Sequence, residues 1–195
     1  MGEILIFNNN PDVRFIYNDP KVKYLNASCD FGLRTRWILA TLAQQDYLVF
    51  QDDDIMLSET TVKQFIKHLS MDPERAYGLH GRNPDGLGRY TANPCTGDVD
   101  IILTRAAAIH RSVVPLILAY EAAFRDRGFQ LPPCNGEDIF LSYCLRAHFG
   151  KRHRVLNLPF RDLPAPHALN ARPTHLAERT ETIRLCRRFF AIQQF

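Results

Sequence analysis

The chain has 195 residues, 46% of them hydrophobic and 23% charged, the make-up of a single soluble domain with room for one sizeable core. A formal charge of +3 is too small to argue for a nucleic-acid or anionic-membrane partner, though it allows a local basic pocket. No apolar stretch reaches the length of a membrane span and no signal-peptide pattern opens the chain, so a cytoplasmic protein is expected.

Five cysteines, Cys29, Cys95, Cys134, Cys144 and Cys186, are too few and too irregular for a disulfide scaffold, and they lack the paired spacing of a zinc site. Ile4-Leu5-Ile6-Phe7 reads as a strand stopped by Asn8-Asn9-Asn10-Pro11, and Val22 to Leu25 as a second, short one. A helix is predicted from about Leu33 to Gln45, with Leu33, Trp37 and Ala40 on one face. Arg34 and Arg36 fall in its first turn, where the helix dipole disfavours cations, which suggests a nearby anion.

The run Tyr47-Leu48-Val49-Phe50-Gln51-Asp52-Asp53-Asp54 joins a buried-strand signal to three consecutive carboxylates. These repel one another at a strand end, where α/β sheets bind ligands, and a hard divalent cation with oxygen ligands would relieve them. Ser58 is a good N-cap for a helix burying Val62, Phe65, Ile66 and Leu69. Strand, acidic loop and helix in that order mark an α/β unit.

Ala76 to His80 reads as a strand and Asn83 to Gly88 as a loop; Asp98 to Thr104 returns to strand character. A long helix is predicted from Ile109 to about Arg125 with Val113, Leu116, Ile117, Tyr120 and Phe124 buried. Glu137-Asp138 open a further helix that Gly150 stops; acidic residues there are favourable for helix-dipole reasons alone. Val155 to Leu158 is a predicted strand, Pro159 to Pro173 an irregular connection, and the last helix starts near Thr174 with Leu176, Ile183, Cys186 and Phe190 buried. His175 and Arg179 lie one turn apart on it.

In this order the pieces resemble the GT-A glycosyltransferases, and among them the exostosin-like family of heparan sulfate polymerase C-terminal modules. The likeness rests on Ile4 to Asn10, Arg34-Thr35-Arg36, the strand ending in the Asp52-Asp53-Asp54 (DXD-type) motif, Glu137-Asp138-Ile139 at a helix start, and the late His175 and Cys186. It implies a single GT-A-like (Rossmann-like) α/β domain over residues 1–195, with a mixed sheet flanked by helices. The family's usual domain opens with a further β-α unit that holds the nucleotide base. Here the strand at Ile4 looks like the second, so that first unit is expected to be lacking.

The resemblance further implies a nucleotide-sugar donor, UDP-type favoured, a glycan or other hydroxyl acceptor, and Mn²⁺ or Mg²⁺ on the diphosphate. Asp54 would be the leading metal ligand, with Asp52 acting directly or through water and His175 as a further ligand. Asp53 would hold a ribose hydroxyl; Arg34, Arg36 and Arg179 would meet phosphate or order the carboxylates. Asp138 would face the reacting sugar in a retaining transfer, supported by Glu137. A Cys134–Cys186 bridge is suggested in the same way. Two other readings stand beside this one: a non-catalytic relative that binds carbohydrate or protein, and a phosphatase, which the Ile55-Met56 sequel to the aspartates fits less well.

Overall fold

The computed structural model describes residues 2–132, 135–165 and 171–192. In chain order these form β1 (Ile4–Asn8), β2 (Val22–Asn26), α1 (Thr35–Thr41), β3 (Tyr47–Gln51), β4 (Ile55–Leu57) and α2 (Glu59–Met71). Then come β5 (Tyr77–Gly78), β6 (Gly81–Arg82), β7 (Gly97–Val99), β8 (Ile101–Ile102), β9 (Ala106–His110) and α3 (Val114–Asp126), which follows a 3₁₀ turn at Arg111–Val113. The chain continues through α4 (Glu137–Phe149), β10 (His153–Val155), β11 (Phe160–Asp162) and α5 (His175–Ile192).

A five-stranded mixed sheet, ordered β3-β9-β5-β10-β7, forms the centre of this α/β protein. Only the β5–β10 pair in it is parallel. β1 and β2 make a separate parallel pair, and β4–β11 and β6–β8 are short antiparallel ribbons. The run at Tyr47 is thus an edge strand of the main sheet. Its residues still alternate: Leu48 and Phe50 pack toward Trp37, Ile109 and Ile117, while Val49 turns to the opposite face against Phe65 and Leu69.

Three apolar clusters fill the molecule. One lies between the sheet and α1, α3 and α4; a second lies between the other sheet face and α2; a third joins α3, α4 and α5 through Phe124, Phe140, Ile183 and Phe189. The Ser58 hydroxyl caps α2 by accepting the Thr61 N–H at 3.1 Å, as its sequence requires.

Several expectations are corrected here. Ala106 to His110 is a strand, so the predicted helix begins only at Val114. Alanine favours helices, but Ala106 and Ala108 on one face and Ala107 and Ile109 on the other are all buried, and packing overrides propensity. The stretch Asp98 to Thr104 divides between two sheets, β10 lies at His153–Val155 rather than Val155 to Leu158, and the connection after Pro159 contains β11. Ile183 and Cys186 of α5 are buried as expected, but Leu176 is 50% exposed, and Arg179, Thr182 and Phe189 are buried beside them. Cys186 is a free buried thiol, and its suggested partner Cys134 lies outside the described residues. Among the described residues no helix is long and apolar enough to cross a membrane.

One polar tie inside the core sets a pH response. His153 is fully buried; its Nδ1 accepts the Ala76 N–H at 3.2 Å and its Nε2 lies 3.0 Å from the Ser142 carbonyl. Burial lowers its pKa from 6.5 to about 4. The imidazole stays neutral in the fold while the unfolded chain takes up the proton first, so stability is lost as pH falls from about 6.5 to about 4. The expected loss over that window is about 3 kcal/mol. Urea denaturation at neutral pH and near pH 4 measures it, and His153→Gln should remove that part of the slope.

Candidate functional site

The acidic run begins where β3 ends. The antiparallel register sets Gln51 opposite Ala106, so the Asp52 N–H donates to the Arg105 carbonyl at 2.9 Å. This pairing carries Thr104 and Arg105 to the side of the three aspartates. From the other direction α1 supplies Arg36, whose Nη2 donates to Asp52 Oδ1 at 3.3 Å and whose Nη1 donates to the Thr104 carbonyl at 3.2 Å.

The second pair of carboxylates arrives on α4. Gly136 sits before it with φ +86°, and a Cβ there would stand 2.7 Å from Thr182 Oγ1. Only glycine meets both conditions without strain, and the tight approach aims Glu137 and Asp138 inward. Both are buried. Glu137 Oε1 accepts from the Thr104 hydroxyl at 2.9 Å and lies 3.7 Å from Arg36 Nε. Its Oε2 is buried with no hydrogen-bond partner among the described residues. Asp138 accepts from Arg179 Nη2 at 2.7 Å and from the Ile139 N–H at 2.7 Å.

Arg179 extends the network. Its Nη1 donates to Asn135 Oδ1 at 3.1 Å, and its guanidinium lies 4.3 Å from the centre of the Tyr90 ring, a cation–π contact made stronger by burial. Asn135 in turn donates to Glu178 at 2.9 Å and stands 3.5 Å from His175 Nδ1.

The electrostatics follow from burial and sign. Burial raises the Asp52 pKa and Asp54 and Asp53 push it further, against the opposing pull of Arg36. Burial and the adjacent Asp138 raise that of Glu137, with Arg36 and Arg179 opposing. For Arg36 and Arg179 burial disfavours the charge, yet the carboxylates outweigh it and both are held more firmly protonated than usual. Burial first, then Arg179, lowers His175.

The structure therefore gathers Arg36, Asp52, Glu137, Asp138 and Arg179, with His175 at the far end beside Asn135. Asp54 is held apart: Arg105 Nε donates to its carboxylate at 2.8 Å and Arg105 Nη2 to its carbonyl at 2.9 Å and to Asp162 at 2.6 Å. Asp53 is exposed. Arg34 pairs with Glu121 of α3 at 2.7 Å and ties two helices together instead of joining the cluster. Among the described residues no three His, Cys, Asp or Glu side chains are grouped so as to hold a metal, so Asp52, Asp54 and His175 do not form such a set. Sequence reading missed Thr104, Arg105, Asn135 and Tyr90. Arg105 and Thr104 become visible only through the β3–β9 register.

No protein-family model matches the chain, and no curated protein matches it.

The buried Arg179–Asp138 pair gives a stability test. Arg179→Met leaves a buried carboxylate unpaired and should cost about 3–5 kcal/mol. Adding Asp138→Asn removes that uncompensated charge, so the double variant should recover more than half of the loss in urea denaturation.

Proposed function

We propose that this chain is a metal-dependent glycosyltransferase of the GT-A kind, transferring a sugar from a nucleotide-sugar donor, UDP-type favoured, to a hydroxyl acceptor with retention. The observation that carries the reading is a charge surplus. Around the end of β3, among the described residues, the six carboxylates of Asp52, Asp53, Asp54, Glu137, Asp138 and Asp162 meet three guanidinium groups, those of Arg36, Arg105 and Arg179. With the raised pKa of Asp52 and the unpartnered Glu137 Oε2, the surplus suits a divalent cation.

The donor set fits Mn²⁺ or Mg²⁺ of one particular kind. Hard cations that serve phosphates are commonly held by one or two carboxylates, with substrate oxygens and water completing the shell. Asp52 and Asp54 would hold such an ion, shared with a diphosphate instead of enclosed by protein. Bound there, it would supply neutralisation of the charge that develops on the departing diphosphate.

The chain's own groups then take distinct tasks. Arg36 fixes Asp52 and Glu137 in place, and Arg105 does the same for Asp54. Asp138, oriented by Arg179, would face the sugar and stabilise its oxocarbenium character; Glu137 would support it through hydrogen bonding to donor hydroxyls. His175 would close over the phosphates from α5. A non-catalytic GT-A-like binding protein is the second reading. It is favoured by one observation: Asp52, Asp54 and Asp138 each already hold an arginine partner.

Thermal unfolding with UDP and Mn²⁺ separates the two. Saturation a hundredfold above Kd stabilises a binder by about 2.7 kcal/mol, or a Tm rise of about 5–10 °C at this size. A flat Tm with every nucleotide tried would remove the enzyme reading. Asp54→Ala is expected to abolish the metal-dependent shift. Asp138→Asn should keep the shift and lose both transfer and Mn²⁺-stimulated donor hydrolysis; equal loss of binding in the two variants would contradict the assigned roles.

A further inference from the structure

A second concavity opens at the C-terminal ends of the parallel strands β5 and β10, the place in α/β sheets where crevices form. Its volume is about 140 Å³. At about 30 Å³ per water in the liquid, that is room for roughly five waters or one six-membered ring. Leu79, Leu156, Leu158, Pro94 and Phe160 give it apolar walls. His80, Arg82, Cys95 and Asn157 add polar groups at its edge, and no Asp or Glu among the described residues lines it.

Two of those polar groups are unsatisfied. His80 Nδ1 and Arg82 Nε are both buried without a hydrogen-bond partner among the described residues. An orphaned buried polar atom costs about 1–3 kcal/mol, so a polar ligand atom that reached either of them would remove that cost. Arg82 Nε can only donate. Burial, then Arg105 and Arg82, lower the His80 pKa, which keeps its ring neutral and able to donate or accept. The occupant must therefore carry lone pairs for Arg82, and a hydroxyl, which both donates and accepts, would suit either tautomer of His80. The apolar walls ask for C–H surface as well, and the Phe160 ring, 5.1 Å from His80 in an edge contact and 41% exposed, offers a face for it. An ammonium ion would find no carboxylate among the described lining residues, and a bare inorganic anion leaves the walls uncovered.

The pocket is also joined to the acidic cluster. Phe160 and Asp162 lie on the same strand β11, and Asp162 is bound through Arg105 to Asp54. We infer that this pocket seats one pyranose ring of the acceptor, with its hydroxyls toward the polar edge made by His80, Arg82 and Asn157 and the C–H face on Phe160. The word acceptor rests on the glycosyltransferase reading above; the binding of a pyranose does not.

Cys95 makes the pocket measurable. Its half-buried thiol lines the cavity, whereas Cys29 is exposed elsewhere. Iodoacetamide labelling of the intact chain, followed by peptide mass spectrometry, reads both rates in one sample. The probes are methyl pyranosides of gluco, galacto and N-acetylglucosamine configuration, with sodium acetate and cyclohexanol as controls. At four times its dissociation constant, a pyranoside that fills the pocket should slow Cys95 labelling about fivefold by simple occupancy, with Cys29 unchanged. Phe160→Ala, a change at a partly exposed position, should abolish the protection, and His80→Gln should weaken it severalfold.

Absence of protection by every pyranoside overturns the inference. So does protection that persists in Phe160→Ala, or protection matched by acetate or cyclohexanol. Nucleotide-dependent thermal stabilisation without pyranoside protection sinks this pocket assignment alone. Protection without any nucleotide response keeps the sugar site and sinks the transferase reading.

Discussion

The Arg36 guanidinium holds the site together. It donates to the Leu33 carbonyl at 3.3 Å, to the Thr104 carbonyl at 3.2 Å and to Asp52 at 3.3 Å, and stands 3.7 Å from Glu137. One side chain therefore binds the start of α1, the entrance to β9, the end of β3 and the start of α4. A planar fork with five donors can do this at fixed angles; an ammonium on a flexible stem cannot. Burial works against its charge, so it persists only because the carboxylates around it are equally unwilling to lose their cation.

The sign of what is left over decides what the cluster can hold. Two unit charges at 4 Å interact by about 4 kcal/mol at an effective dielectric constant near 20. A diphosphate arriving alone at a surplus of carboxylates would be repelled by terms of that size. The same diphosphate carrying a divalent cation would be attracted by them. Under the proposed function one ion would reconcile a polyanionic ligand with an acidic site, and the arginines would have a different task from the one their charge suggests: they order the carboxylates. Arg179 on Asp138 and Arg105 on Asp54 are held by their bonds in that way.

Local patterns revealed much of this, and for local reasons. The strands at Ile4, Val22 and Tyr47, the Ser58 cap and the α4 start at Glu137 each depend on neighbouring residues. What stayed hidden depends on partners far along the chain. The alanines of β9 carry no strand signal of their own and become a strand by filling narrow space between helix layers. β4 and β11 are three residues each and exist as a pair. His175 and Arg179 were legible as neighbours on one helix face, but nothing in their spacing says that Arg179 turns inward to Asp138 while Leu176 is left in solvent. Arg34 and Arg36 read alike in sequence; the position of Glu121 on α3 is what separates them.

The network also has a place in time. Its longer bonds join residues 41 apart for Arg179 and Asp138, 57 for Arg105 and Asp162, and 68 for Arg36 and Thr104. Each closure of a long loop spends chain entropy before its contact returns anything, so such contacts form late compared with turns, caps and the 18-residue offset of β1 and β2. A partly folded chain can therefore own most of its helices while its acidic residues are still strangers to their arginines. By that measure the site is assembled only after the local elements that carry it.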